Sequence, residues 1–217
     1  MKRPVIEFKD FSFKYNSQAE PTLKNINLKI NKGEKILLAG PSGSGKSTIG
    51  RCLNGLIPNI DQGEVEGKCL VNGKDITSTS LFDFSFTTST ILQDADSQFI
   101  GLTVGEDIAF ALENDCQPKD KMHQTVNQWA NELKIKELLT QSPQSLSGGQ
   151  KQIVALAGVL VDESPILLFD EPLANLDPAS GLKTMAIIDK IQKELNATVI
   201  IIEHRVEEVL SQPIDRI

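Results

Sequence analysis

One glycine-rich stretch of the 217-residue chain is the most informative about its architecture: Gly40-Pro41-Ser42-Gly43-Ser44-Gly45-Lys46-Ser47-Thr48. The short apolar run before it, residues 36–39, is typical of a buried parallel strand, and the segment after it, Ser47–Leu56, predicts a helix. A strand, a loop with this spacing of Gly and Lys, and a helix form the P-loop pattern. A glycine-rich turn that merely joins a strand to a helix would not need all nine residues of this pattern at these positions. The stretch therefore predicts a nucleoside triphosphate site in an α/β fold.

The residue types of this loop suit phosphate chemistry. Its glycines let the backbone curl, so that successive N–H groups face one anion at the positive end of the following helix. In this pattern Lys46 reaches the β- and γ-phosphates, and the hydroxyl of Ser47 is a ligand of Mg²⁺. We therefore expect residues 40–48 to bind the nucleotide together with Mg²⁺.

Two carboxylates end a second apolar run, Ile166-Leu167-Leu168-Phe169-Asp170-Glu171. Buried strands of an open α/β sheet direct their C-terminal ends at the ligand crevice. Asp170 is therefore a candidate for the Mg²⁺ shell beside Ser47, and Glu171 for polarising an attacking water. Acidic pairs at strand ends are often only solvated, and it is the P-loop in the same chain that favours the functional interpretation.

Composition excludes several other classes of protein. The net charge of −7 and pI of about 5.0 lack the broad basic surface that binds nucleic acid, so we expect no nucleic-acid partner. The longest apolar run, Ile153–Val161, is too short to cross a membrane. Cys52, Cys69 and Cys116 are odd in number and widely spaced, which favours neither a disulfide framework nor a zinc site. The composition is that of a cytosolic, soluble domain.

The rest of the chain is predicted to contain both strands and helices. Alternation predicts a strand, with its residues Phe11, Phe13 and Tyr15 on one face, and the segment Gly63–Ile91 predicts short strands with a hairpin turn at Asn72-Gly73. Residues 104–140 are helix-prone, with Trp129, Leu133 and Leu138 as expected buried contacts. Two further helices are expected at Gly148–Val161 and after Asp177-Pro178, and a buried strand at Thr198–Ile202. The second of these helices places Leu182, Met185, Ile188, Ile191 and Leu195 along one stripe.

Leu146-Ser147-Gly148-Gly149-Gln150 predicts a second anion site, because a Ser hydroxyl and glycine N–H groups open a helix there. One nucleotide has one γ-phosphate, so two such sites in a chain suggest that they face different subunits. Alone, the pentapeptide is an ordinary Ser N-cap, but it lies shortly upstream of the Asp170-Glu171 strand. Here the sequence resembles the ATP-binding cassette (ABC) family over nearly its whole length. The resemblance implies two cassettes packed head to tail, with ATP at each P-loop covered by Ser147, Gly149 and Gln150 of the other cassette.

The resemblance also implies roles for four single residues. Tyr15 looks like the aromatic residue that stacks on adenine, although its pattern equally predicts a core residue beside Phe13. Gln93 resembles the Q-loop glutamine that contacts Mg²⁺, and His204 the switch histidine that contacts the γ-phosphate. Asp177 matches the D-loop at the dimer interface, in addition to its expected role as an N-cap. Without the resemblance, Gln93 would be taken as a surface residue and His204 as a surface or core residue.

The family also implies the organisation of the chain: a single cassette, residues 1–217, with a P-loop NTPase core, a small antiparallel β lobe and an inserted α-helical subdomain. The core lobe is expected at about 1–92 and 162–217, and the helical insert at about 93–161. Two departures stand out. Ile153 lies shortly after the pentapeptide Leu146–Gln150, at a position where the family usually has Arg. The chain also stops at Ile217, where members usually continue. We therefore expect a truncated C-terminus, or one cassette of a longer chain.

Three segments, Glu171–Pro178, Glu203–Val209 and Leu92–Phe99, are similar to those of the ATPase subunits of energy-coupling-factor transporters, which import vitamins or metal ions. This resemblance implies an ATPase on the cytoplasmic face of the membrane. Its expected partners are a second cassette, on a separate chain or in tandem on the same one, and a transmembrane coupling subunit. The groove beside Gln93–Leu102 would receive that subunit, with Phe99, Ile100 and Leu102 either as contacts or as core. A soluble cassette of DNA repair or translation is the alternative, and the charge and short insert argue against it.

Overall fold

The computed structural model describes residues 4–93 and 98–217, and arranges the eight strands of these ranges in two four-stranded sheets. The strands are β1 (Pro4–Tyr15), β2 (Leu23–Asn31), β3 (Lys35–Leu38), β4 (Gly63–Val71), β5 (Lys74–Asp75), β6 (Thr88–Ile91), β7 (Ile166–Asp170) and β8 (Thr198–Ile202). One sheet is antiparallel, in the order β2-β1-β4-β5, and the other is parallel, in the order β3-β8-β7-β6. This arrangement agrees with the predicted α/β class.

The antiparallel sheet is one wall of a hydrophobic core. Phe11 and Phe13 of β1 are fully buried, as their alternation predicts. The predicted hairpin is also present, because Asn72 and Gly73 join β4 to β5 with φ angles of 50° and 80°. Positive φ at both central residues is what a two-residue hairpin turn requires, and Asn-Gly adopts it at low cost.

The parallel sheet positions the candidate site. Its strands β7 and β8 are buried almost throughout, which explains their unbroken apolar sequences. In register, Leu38 pairs with Ile202, Ile202 with Asp170, and Phe169 with Ile91. The C-terminal ends of all four strands therefore lie along one edge, and the residues that follow them meet there.

Helices cover the parallel sheet and fill the segment between β6 and β7. They are α1 (Lys46–Leu53), α2 (Leu56–Asn59), α3 (Leu81–Ser85), α4 (Val104–Asn114), α5 (Lys119–Glu132), α6 (Gly148–Leu160), α7 (Pro178–Leu195) and α8 (Val206–Val209). Trp129, Leu133 and Leu138 are buried as predicted. The subdomain boundaries at 93 and 161 remain a prediction. Within the described ranges, every helix is too short or too polar to cross a membrane.

Three predictions about elements were wrong in part. The helix expected at Ser47–Leu56 ends at Leu53, because Gly55 adopts a φ of 77° and lies against Phe84, where a Cβ would come within 2.5 Å of the ring. The segment predicted as strands contains α3, whose N-cap Ser80 accepts a hydrogen bond from the backbone N–H of Asp83. Leu182 is 44% exposed, because the stripe of α7 that faces the sheet runs through Met185, Ile188 and Ile191 instead.

Candidate functional site

The loop between β3 and α1 has the curled backbone that the sequence predicts. Gly40, Gly43 and Gly45 have φ angles of 155°, 77° and 93°. Gly45 has a second constraint, because a Cβ there would lie 2.9 Å from Leu23 Cδ2 and 3.3 Å from the carbonyl oxygen of Thr22. The first turn of α1 contains no acidic residue, so the positive end of its helix dipole is unopposed within that turn.

Lys46 holds this loop from within. It is only 9% exposed, and its Nζ donates to the carbonyl oxygens of Gly40 and Pro41 over 3.0 Å each. A buried ammonium bonded to two neutral carbonyls has no anionic partner in these bonds, so its charge is available to phosphate oxygens at the loop. Ser47 and Thr48, the next two residues of α1, line a cavity together with Lys46.

The two carboxylates lie at the end of β7, as predicted. Burial raises the pKa of Asp170, and the neighbouring charge of Glu171 raises it further, whereas Lys46 and Arg51 act in the opposite direction. Glu171 has a φ of 50°, a left-handed conformation that is uncommon outside glycine and is often found at functional sites. Its backbone N–H donates to the carbonyl oxygen of Ile202 over 2.8 Å, which ties this turn to the end of β8.

The side chain of Glu171 is the centre of the site. Gln93 Nε2 donates to Glu171 Oε2 over 2.8 Å, and His204 Nε2 lies 3.2 Å from Glu171 Oε1. These three residues follow β6, β7 and β8, so the parallel sheet brings together the three side chains that we predict to take part in catalysis. Both carboxylate oxygens are thereby held in place.

Tyr15 packs on the core and also borders the cavity above the P-loop, so its stacking on adenine stays a prediction. Its ring packs edge to face on Phe13, with centroids 4.7 Å apart, so part of the side chain continues the core. Its hydroxyl lies 3.3 Å from Thr48 Oγ1, and the ring lines the cavity above the P-loop. A half-buried aromatic surface beside the loop offers an apolar face to a planar base.

A cavity of about 270 Å³ joins these parts. It is lined by Tyr15, Gln18, Thr22, Ser42, Gly43, Gly45, Lys46, Ser47, Thr48, Glu171 and His204. The predicted nucleotide-binding residues that are not among its lining residues are Gly40, Pro41 and Ser44 of the P-loop and, further along the chain, Ser147, Gly149, Gln150 and Asp177. The chain therefore does not bring its two candidate anion sites to one cavity.

Ser147 and Gln150 form a capping box at the start of α6. The backbone N–H of Ser147 donates to Gln150 Oε1 over 2.9 Å, and that of Gln150 donates to Ser147 Oγ over 3.4 Å. Asp177 caps α7, because its Oδ1 accepts from the backbone N–H groups of Ala179 and Ser180. The hydroxyl of Ser180 is the main cause of the lowered pKa of Asp177. The predicted N-cap is present.

The protein donors near the P-loop fit a hard divalent cation. The Ser47 hydroxyl, the Gln93 amide oxygen and the Asp170 carboxylate are all oxygen ligands, which Mg²⁺ prefers, usually with waters and phosphate oxygens completing the shell. Asp170 accepts no side-chain hydrogen bond from the described part of the chain, although burial disfavours its charge. A cation would compensate that cost.

Two functional candidates were missed from the sequence. Glu203 is 2% exposed and Arg205 is half-buried, and both bond to the backbone beside the site. A charged residue that directly follows five buried strand residues was the available signal, because a buried carboxylate needs partners. In contrast, residues 94–97 of the predicted Q-loop segment lie outside the described residues.

Comparison with known proteins agrees with this geometry. The model of the ABC transporter family matches residues 23–174. The chain is 98% identical over its full length to a provisionally named ABC transporter ATP-binding protein of Lactobacillus johnsonii, and 62% identical over 99% of its length to one of Streptococcus mutans. It spans 38% of the length of each of these relatives.

A solved structure is also similar. It is cbiO1 of Clostridium perfringens, described as part of the ABC transporter complex cbiONQ, with a TM-score of 0.86 and 30% sequence identity. The alignment covers 96% of this chain and 81% of that one. It supports the mixed fold, with one antiparallel and one parallel sheet. Since the family model matches most of the chain and this structure has the same fold, the chain belongs to the ABC transporter family, as an ATP-binding cassette.

Proposed function

We propose that this cassette binds Mg²⁺–ATP and hydrolyses it to power a membrane importer. The observation that carries the proposal is the carboxylate of Glu171, held between Gln93 and His204 at the wall of the P-loop cavity. A carboxylate fixed from both sides beside a phosphate-binding loop is suited to orient a water for attack, and orientation is most of what a phosphoryl-transfer enzyme supplies.

In the proposed reaction, the oxygen of water bonds to the γ-phosphorus, and the bond from that phosphorus to the bridging oxygen of ADP breaks. Glu171 accepts a hydrogen bond and then a proton from the attacking water, and the products are ADP and inorganic phosphate. Lys46 and the N–H groups of residues 40–48 stabilise the charge on the phosphate oxygens. Mg²⁺, held by Ser47, Asp170 and Gln93, would neutralise further charge on the β- and γ-phosphates. His204 would contact the γ-phosphate.

The site is proposed to be completed by a second cassette. Ser147, Gly149 and Gln150 open α6 away from the cavity, so they are available to the nucleotide of a partner. ATP would then lie between two cassettes packed head to tail, with Asp177 near their interface. The chain spans 38% of the length of its curated relatives, which leaves room in those proteins for a second cassette.

The proposed transporter is of the energy-coupling-factor type, which imports a vitamin or a metal ion, with the cassette on the cytoplasmic face of the membrane. Its support is the similarity to cbiO1, described as part of the complex cbiONQ, together with the three segments that resemble this subfamily. No feature of the described residues favours the DNA-repair or translation alternative.

A groove of about 450 Å³ between α3 and α4 is the proposed docking site for a helix of the membrane subunit. Its rim is apolar and exposed, since Phe82 and Phe86 are 70% and 49% accessible. Asp115 and Asp162 lie in the same groove and make it acidic. An amphipathic helix with apolar anchors and a basic residue is complementary to such a surface. Ile100 and Leu102 are also exposed, whereas Phe99 packs against the core.

The test is Glu171→Gln, in the full-length protein and with Glu66→Gln, an exposed carboxylate on β4, as the matched control. The variant should bind ATP with an affinity within about threefold of wild type and lose turnover by on the order of a hundredfold or more. It should also accumulate an ATP-bound dimer. Turnover near the wild-type rate would contradict the proposed role of Glu171, and the control should behave as wild type.

A further inference from the structure

We propose that Glu203 and Arg205 are positioning residues that fix the loop carrying His204 to the segment Leu173–Leu176. The proposal rests on the function proposed above, because it assigns the two residues to the same ATP site. Neither side chain lines the P-loop cavity, so any effect on the reaction is transmitted through their backbone partners.

Glu203 is a buried carboxylate whose side-chain hydrogen bonds, among the residues that the structure describes, are made to backbone groups on both sides of the site. Its Oε1 accepts from the N–H groups of His204 and Arg205, over 2.8 and 3.1 Å, and its Oε2 accepts from the N–H of Leu173 over 3.1 Å. A carboxylate that is 2% exposed is expensive to bury, and three N–H donors compensate that cost. One side chain thus joins the turn after β8 to the turn after β7.

Arg205 makes the complementary connection through carbonyl groups. Its Nη1 donates to the carbonyl oxygens of Leu173 and Leu176, the second over 2.8 Å. Its Nε and Nη2 donate to the two carboxylate oxygens of Glu208 over 2.7 and 2.6 Å, so the guanidinium is held in plane. Leu173 therefore has both its N–H and its carbonyl bonded to the loop of His204.

The neighbouring helix leaves space for this arrangement. Gly181 lies inside α7, where glycine is less favourable than alanine. A Cβ at this position would lie 2.3 Å from Glu208 Oε2 and 3.6 Å from Arg205 Nη2. The ion pair of Arg205 and Glu208 thus packs directly on the backbone of α7.

The consequence concerns the distance between His204 and Glu171. Their side chains lie 3.2 Å apart, and each follows a different strand. The bonds of Glu203 and Arg205 cross the same two strand ends, so they set how closely the imidazole approaches the carboxylate. If these bonds are lost, nucleotide contacts at residues 40–48 remain, but His204 and Glu171 are no longer held in register.

The experiment compares Glu203→Gln with Asp189→Asn in the full-length protein. Both remove the charge of a buried carboxylate, but Asp189 pairs with Lys35 and Lys193 at the other end of the parallel sheet. Glu203→Gln should lower kcat by about tenfold and leave the KM for ATP within about threefold, since ground-state contacts persist. In combination with His204→Ala it should lower kcat by less than about twofold further, because both act on one interaction.

Three results would overturn the proposal: a loss of kcat no larger than in Asp189→Asn, a parallel change of KM, or a full additive loss with His204→Ala. A wild type without ATP turnover contradicts the proposed function alone. Hydrogen exchange at the Leu173 and His204 amides then decides. Faster exchange at both in Glu203→Gln, but not in Asp189→Asn, supports the positioning role, and unchanged exchange overturns it.

Discussion

The side-chain amide of Gln93 donates to Oε2 of Glu171 over 2.8 Å and so joins the end of β6 to the end of β7. His204 lies beside the other carboxylate oxygen. Glu171 is therefore oriented by two residues that follow β6 and β8, the strands on either side of β7 in the sheet. Preset orientation of this kind reduces the entropy that has to be lost when a water is aligned for attack.

Lys46→Ala should weaken ATP binding strongly. The ammonium is the cation of the loop, and it also holds the carbonyl groups of Gly40 and Pro41 in place. Charge-assisted bonds to phosphate contribute about 1.5–3 kcal/mol each, so we expect a loss of affinity of at least about tenfold to a hundredfold. Titration with a fluorescent ATP analogue measures it, and Lys32→Ala, at an exposed lysine, is the control. Wild-type affinity in the first variant would refute the site.

Ser147→Ala should prevent the ATP-dependent dimer in a Glu171→Gln background. Thr103→Ala is the matched control, because Thr103 caps α4 with the same capping-box geometry through Glu106. Losing either cap should cost about 1 kcal/mol of stability, so both variants should melt a few degrees earlier. Only Ser147→Ala should lose the dimer in size-exclusion chromatography with Mg²⁺–ATP. Dimerisation in both variants would argue against the head-to-tail arrangement.

Replacing Tyr15 separates its two interpretations. Tyr15→Phe keeps the aromatic face and loses only the contact of the hydroxyl with Thr48, so ATP affinity should change by less than about threefold. Tyr15→Ala removes the ring and should weaken ATP binding by about tenfold, with stacking worth about 1–3 kcal/mol. GTP and ATP binding to both variants are measured by calorimetry. Unchanged ATP affinity in Tyr15→Ala would leave the residue with its core role alone.

Asp162 should make stability pH-dependent. Burial and the charge of Asp115 raise its pKa to about 6, and its Oδ1 is buried without a hydrogen-bond partner among the described residues. A raised pKa means that the fold prefers the protonated carboxyl, so stability is lost as pH rises from about 4, the ordinary range of Asp, through the raised value. Wild type should therefore lose stability relative to Asp162→Asn over this window.

Urea unfolding of both proteins at several pH values measures this difference, which should be constant above about pH 7. Asp115→Asn is the informative control, because it removes the second cause of the shift and should move the transition to lower pH. A pH-independent difference between wild type and Asp162→Asn would contradict the raised pKa.

The groove and the core should respond differently to loss of an aromatic ring. Phe82 is 70% exposed, so Phe82→Ser should weaken assembly with the membrane subunit while melting temperature and basal turnover stay near wild type. Phe99 packs against the helical core, so Phe99→Ala should lower the melting temperature, at a cost of about 2 kcal/mol. Pull-down, melting and turnover of the two variants are compared. Wild-type assembly of Phe82→Ser would remove the groove from the docking surface.

Some of the site was predictable because its chemistry is local. The nine residues of the P-loop include the glycines, N–H donors and lysine that a phosphate site needs. The apolar residues before Asp170 are sufficient to predict a buried strand. The hairpin at Asn72 and Gly73 and the cap at Asp177 were predictable for the same reason. The family match and the α/β fold are likewise confirmed, whereas the roles of Gln93, His204 and Ser147 stay predictions.

Other features depend on residues that are distant in the sequence. The break at Gly55 follows from contact with Phe84, and the exposure of Leu182 follows from how α7 lies on the sheet. The helix break and the exposure of Leu182 cannot be predicted from the periodicity of their own segments, because an apolar stripe on a helix does not determine which of its edges packs against the core.

The sequence by itself determined the phosphate loop, the buried strands and the identity of the acidic pair, because short-range geometry and side-chain chemistry suffice for these. Only the tertiary structure decided that Gln93 and His204 meet on Glu171, and that Glu203 and Arg205 bond to Leu173. The physical reason is the parallel pairing of β6, β7 and β8, which brings strand ends separated by about 30 to 80 residues to one edge of a sheet.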